Sequence, residues 1–158
     1  MNSAEIACYK LTIIKALVSD QEIISLIDSN GEFEYPDDMI YERIFPFDRI
    51  PDTEQEAKTY ITISVNVPSI NKKNDLVKDL IVTARAITHA SLMKVKGQNG
   101  TRIDLLAARL DTILNERSDL GIGPVSLVSN CENALDKAHF YRELKFKTMD
   151  LNNRRYGA

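Results

Sequence analysis

The chain has 158 residues, of which 44% are hydrophobic and 27% charged, the size and make-up of one globular domain that can bury a core of its own. A formal net charge of -3 excludes a protein whose main task is to grip nucleic acid, because neutralising phosphates takes a clear excess of Lys and Arg. Two cysteines at unpaired spacing, Cys8 and Cys131, exclude a disulfide framework and read as reduced thiols, and no apolar run approaches the roughly 20 residues that span a bilayer.

The chain starts with an early acidic residue and has Lys10 and Lys15 inside its first apolar stretch, unlike a signal peptide, so cytoplasmic synthesis is expected. Residues 3–17 set Ile6, Tyr9, Ile13 and Leu17 at helical spacing, which predicts an amphipathic helix. Ser19 and Glu22 then read as a capping box opening a second helix with Ile23, Ile24, Leu26 and Ile27, which should end near Asn30-Gly31. Residues 32–58 are acidic and carry three prolines, so we expect an excursion that is partly an exposed loop, with Met39 to Phe45 its one strand. Pro46 and Pro51 bracket Phe47 and Ile50, apolar residues that such a loop would bury poorly and that a partner could cover.

From Thr59 to Val67 apolar and polar residues alternate without a fault, with Ile61, Ile63, Val65 and Val67 on one side, the pattern of a half-buried antiparallel strand. Residues 69–76 are polar and turn-like. Asp79 to His89 suits helix or strand by composition, but Leu80, Val82, Ala84, Ala86 and Thr88 keep one face apolar or small at period two, which favours a strand. After the turn Lys96 to Gly100, Thr101 can cap a helix over 102–117, where Ile103, Leu106, Leu110, Ile113 and Leu114 form one stripe. Gly121 to Pro124 should break it, and strands Val125–Cys131 and His139–Met149 follow, joined by ENALDK. The last strand should point Phe140, Leu144 and Phe146 inward and Glu143, Lys145 and Lys147 outward, before a loose tail at about 151–158. The expected fold is α+β, a mostly antiparallel sheet of about four to five strands with two N-terminal helices and one central helix packed on it, in one domain over 1–158.

The chemistry-bearing residues are sparse. His89 and His139 each stand alone in a strand without a second ligand at metal spacing, which favours a structural role. A Cys131–His139 pair would need contact across a hairpin, and no oxyanion-hole element accompanies it. Asp104 and Asp111, with Arg102 and Arg109, read as solvated ion pairs rather than acid–base machinery. The glycine turns GQNG and GIGP match no phosphate-cradling loop. No cofactor or metal is expected. Charge does segregate: Glu32, Glu34, Asp37, Asp38 and Glu42 are acidic, whereas Lys145, Lys147, Arg154 and Arg155 are basic, so opposite patches could meet across a head-to-tail contact.

The order of elements, with the phrases GTRIDLLAARLDTILN and YRELKFKTMDLN, resembles the tail-terminator and tail-completion (head-tail joining) proteins of tailed bacteriophages. That resemblance implies a non-enzymatic ring, a homohexamer, seated on the last ring of the tail tube. It would stop polymerisation and face the neck or head-closure protein, with the sheath protein a possible neighbour. DNA would be only passing cargo and no membrane partner is implied; the location would be the virion. Exposure, not family position, nominates Phe45, Phe47 and Ile50 of the loop, Lys145 and Lys147 of the last strand, and Arg154 and Arg155 of the tail as subunit or partner contacts. The competing readings are another neck component, such as a head-closure or connector-adaptor protein, and a small cytosolic enzyme using Cys131 and His139.

Overall fold

Period-two and helical patterning both carry through into a computed structural model of the chain, which describes residues 3–68, 73, 76–120 and 123–151. Three α-helices, α1 (Ile6–Val18), α2 (Gln21–Ile27) and α3 (Arg102–Leu114), cover one face of a five-stranded sheet. Its strands are β1 (Ile44–Phe45), β2 (Thr59–Asn66), β3 (Val77–His89), β4 (Ser126–Ala134) and β5 (His139–Leu151), in the spatial order β1-β2-β3-β5-β4. All pairings are antiparallel except β1 with β2, which is parallel. The fold is therefore α+β with a mostly antiparallel sheet, as the patterning predicts.

The spine is the β3–β5 pair, in register over 13 residues from Val77↔Leu151 to His89↔His139. Its helix side buries Leu80, Val82, Ala84 and Ala86 of β3 against Leu144 and Phe146 of β5, the small alanines leaving room for α3 to approach. From α3, Ile103, Leu106, Leu110 and Leu114 enter this core, and from α1, Ile13 and Leu17. The segment through α3 carries the chain from β3 past the position that β5 later fills, so β4 lands at the sheet's outer edge.

Several boundaries move for identifiable reasons. The cap of α2 is Asp20, not Ser19: its carboxylate accepts from the amides of Glu22 and Ile23, each at 3.1 Å, and takes two bonds from Arg109 at 2.6 and 2.9 Å. A charged oxygen serves the helix dipole and Arg109 together, whereas Ser19 closes α1 by donating its hydroxyl to Lys15 O at 2.7 Å. Helix α2 stops at Ile27 because Asp28 turns its carboxylate onto the amides of Glu32 and Phe33, at 2.8 and 3.0 Å. The cap of α3 is Thr101 with Asp104, as expected, but the helix ends at Leu114, before the glycines: Glu116 takes a left-handed φ of 64° and Asn115 Oδ1 accepts from the Leu127 amide. The last hairpin turns at residues 135–138, so β4 runs through Ala134 instead of ending at Cys131. The turn at 69–76 and the tail beyond Leu151 fall largely or wholly outside the described residues.

The expected strand Met39 to Phe45 shrinks to two residues, since Pro36–Met39 form a 3₁₀ turn and Tyr41 sits at φ 67°. Strand β2 is not half-buried. From Thr59 to Ile63 both faces are covered, the second by the excursion that precedes it.

Candidate assembly surface

The excursion is a strap across the upper half of the helix-free sheet face. Phe45, Tyr60 and Ile87 make a second small core there, with Leu135 and Tyr141 beside it. Arg49 lies over both rings, 5.0 Å from the Phe45 centroid and 4.6 Å from that of Tyr60, and pairs with Glu56 at 3.0 Å. The Tyr60 hydroxyl donates to the same Glu56 carboxylate, whose other oxygen accepts from the Asp52 amide at 2.9 Å. Burial, and then the Glu56 acceptor, push the Tyr60 hydroxyl well above its usual range. Burial alone would raise the Glu56 carboxyl, but the bonds from Tyr60, the Asp52 amide and Arg49 outweigh it and hold Glu56 below the ordinary carboxylate range.

The two histidines belong to this strap. Nε2 of fully buried His139 lies 2.7 Å from Glu56 O, and Nε2 of His89 lies 3.0 Å from Glu54 O, with the rings edge to face at 5.1 Å. His139 Nδ1 faces the Asp136 carboxylate at 3.0 Å, and His89 Nδ1 accepts from the Ser91 amide at 3.1 Å. Three of the four ring nitrogens thus hold backbone, and the fourth is held by the Asp136 carboxylate. Cys131 is exposed and registers with Glu143, four residues along β5 from His139 and thus about 13 Å away, so the structure does not bring the two together. Among the described residues, no three His, Cys, Asp or Glu side chains gather as a metal site would need.

Clamped this way, the strap holds Phe47 and Ile50 outward at 45% and 61% exposure. Phe45 departs from the exposure that the sequence suggested: it is 5% exposed and forms the floor under Phe47, with ring centroids 5.5 Å apart. Tyr41, 64% exposed and 6.3 Å from Phe47, extends the same patch, and its positive φ aims it there. On the same sheet face, beyond the strap, Lys145 and Lys147 are about half exposed, bridged loosely to Glu143 at 3.7 Å and to Asp79 at 3.6 Å. Glu143, expected outward, is mostly covered because Arg85 binds it at 2.7 Å. Arg154 and Arg155 lie outside the described residues. Sequence reasoning missed Arg49, Glu56 and Tyr60 as the clamp and Val128 as an exposed apolar residue on β4; only the density of charge around two prolines hinted at the first three.

A family model, YomW, matches residues 13–148, from the middle of α1 into the last strand, β5. The chain belongs to the YomW family. No curated protein matches the sequence. Among solved structures, a chain from the virion of a native gene transfer agent particle superposes with a TM-score of 0.61 at 13% identity, covering 95% of this chain and 100% of that one. At that identity the likeness speaks for the fold of this YomW-family chain.

Proposed function

We propose that this YomW-family chain is a structural virion protein, without enzymatic activity, that closes a phage-type tail. In this reading it assembles in the host cytoplasm as a homohexameric ring on the last ring of the tail tube. It ends tail polymerisation and presents its other surface to a neck or head-closure protein, with sheath protein a possible neighbour and DNA passing through. The observation that carries the reading is the end-to-end fold likeness to a chain of a gene transfer agent virion, which covers 95% of this chain and 100% of that one. The outward Phe47 and Ile50, set on a clamped strap, supply adhesive area that the fold itself does not use.

Mass measurement of the purified protein, alone and mixed with tail tubes, tests this: a ring-sized species on tubes is expected. A chain that stays monomeric at every concentration and ignores tubes would end the proposal. A second reading, a head-closure or connector-adaptor component, rests on the same fold likeness; binding to portal-side proteins instead of tube protein would favour it. An enzyme using Cys131 and His139 has little support from a geometry that keeps them four register steps apart.

A further inference from the structure

We infer that the strap tip at residues 47–50 of one copy docks on the free edge of β4 in the next copy, so that the ring contact is head-to-tail. This rests on the ring reading above and names its interface.

Three observations meet here. First, among the described residues the β4 edge of the sheet is long and carries no further strand. β1 is two buried residues long, and the turn before it closes back through the Tyr41 amide donating to Ile44 O at 2.9 Å. β4 is nine residues long, exposed at most positions, and paired with a neighbour only through β5. Its sequence SLVSNCENA has no Pro or Lys to discourage pairing; a single register shift between Leu127 and Ser129 and the Asn115 bond to the Leu127 amide occupy only its first residues. A long edge without such blunting is a template for another chain. Second, the strap tip is a segment without backbone pairing, held in place from below. None of the backbone amides from Phe47 to Ile50 has a hydrogen-bond partner among the described residues, yet Arg49 is clamped beneath them and Lys10 Nζ fixes Pro46 O at 2.7 Å. Ordering cost is already met, which favours association. Third, the surfaces complement each other. The tip carries Phe47, Ile50 and the exposed Asp48, while the β4 side offers Val128 at 60% exposure with Lys145 and Lys147 on the adjoining strand. Because the tip lies by β1 and β2 and the receiving edge is at the other end of the strand order, the contact uses two different patches and propagates around a ring instead of stopping at a dimer.

Native Cys131 on β4 serves as the reporter. In a Cys8→Ser background, Asp48→Cys is oxidised mildly, alone and on tail tubes, and run without reductant; Leu11→Cys, 50% exposed on α1, is the control. We expect a ladder from dimer up to hexamer for Asp48→Cys and none for the control. Val128→Lys should weaken self-association by about tenfold or more with an unchanged circular dichroism spectrum. Cross-linking that stops at the dimer, or wild-type rings in which neither change has an effect, would overturn the inference while leaving the ring reading standing. A wild-type chain that never assembles, with or without tubes, would overturn the ring reading itself.

Discussion

Removing the Arg49 clamp should loosen the strap without touching the helix-side core. Arg49 is 21% exposed and Glu56 14%, so their ion pair is partly screened but mostly covered, and a charge-assisted hydrogen bond in that setting is worth about 1.5–3 kcal/mol. Two ring contacts at 5.0 and 4.6 Å add about 0.5–1 kcal/mol each. Against this stands Arg49 Nη1, buried without a hydrogen-bond partner, which costs about 1–3 kcal/mol. The net loss for Arg49→Ala is then about 2 kcal/mol, or about 4–8 °C in Tm for a chain of this length. Thermal unfolding followed by circular dichroism measures it. Cleavage by a Glu-specific protease at Glu54 and Glu56 should quicken in parallel, since these residues sit on the released segment. A double-mutant cycle with Glu56→Ala decides the matter: the two losses should fall short of additivity by at least about 1 kcal/mol. Strict additivity, with a strap as protease-resistant as in the wild type, would refute the clamp.

The acid limb of stability should steepen through Glu56 and Asp20. Both carboxyls titrate below their ordinary values when folded, Glu56 because its bonds outweigh burial and Asp20 chiefly through Arg109. Their contribution is therefore complete above about pH 4.5 and lost as pH falls through the folded values below that. Asp20→Asn should flatten this limb in an acid titration of the unfolding midpoint. Thr101→Ala removes the cap of α3 and should cost about 1 kcal/mol by denaturant unfolding, with an unchanged m-value. Phe45→Ser and Phe47→Ser separate folding from adhesion: the first opens the small second core and should lower Tm by several degrees, about 2–4 kcal/mol, whereas the second should leave Tm within about 1–2 °C while weakening self-association.

The parts of this fold that sequence makes visible are those with their own period. Ile61, Ile63 and Val65 of β2, the alternating small and apolar residues of β3, and the Ile103–Leu106–Leu110 stripe of α3 each declare their buried face without reference to anything distant. The strap has no period, so its fate depends on where it lands. Phe45 and Phe47 are chemically alike and two residues apart, yet one is buried against Tyr60 and the other faces out, a difference set by the parallel register Phe45↔Thr62. Arg49 reads as one more surface cation until Tyr60 and Phe45 are known to converge on it. The Ser19-Asp20 choice was local but undecidable from the capping box alone, since Arg109, 89 residues away, tips it toward the carboxylate.

The histidines and the acidic excursion, read separately as inert and as a loose loop, make sense together. A sheet with helices on one face leaves the other to solvent, and an antiparallel sheet tolerates that when the open face is polar. Here the lower half follows that rule, with Asn66, Lys145 and Lys147 in the wet positions. The upper half does not: Tyr60, Ile87 and Tyr141 would form a bare apolar patch if left uncovered. The strap covers it by backbone carbonyls pinned on His89 and His139 and by one arginine laid across two rings, which leaves Phe47 and Ile50 largely exposed. The large apolar residues left outside are thus divided between the strap, with Tyr35, Tyr41, Phe47 and Ile50, and outlying positions such as Val128 on β4. A fold that covered its face with a helix would have no such tip to extend. The strap therefore links the two levels: the contacts that complete the core also determine which side chains remain available for a neighbour.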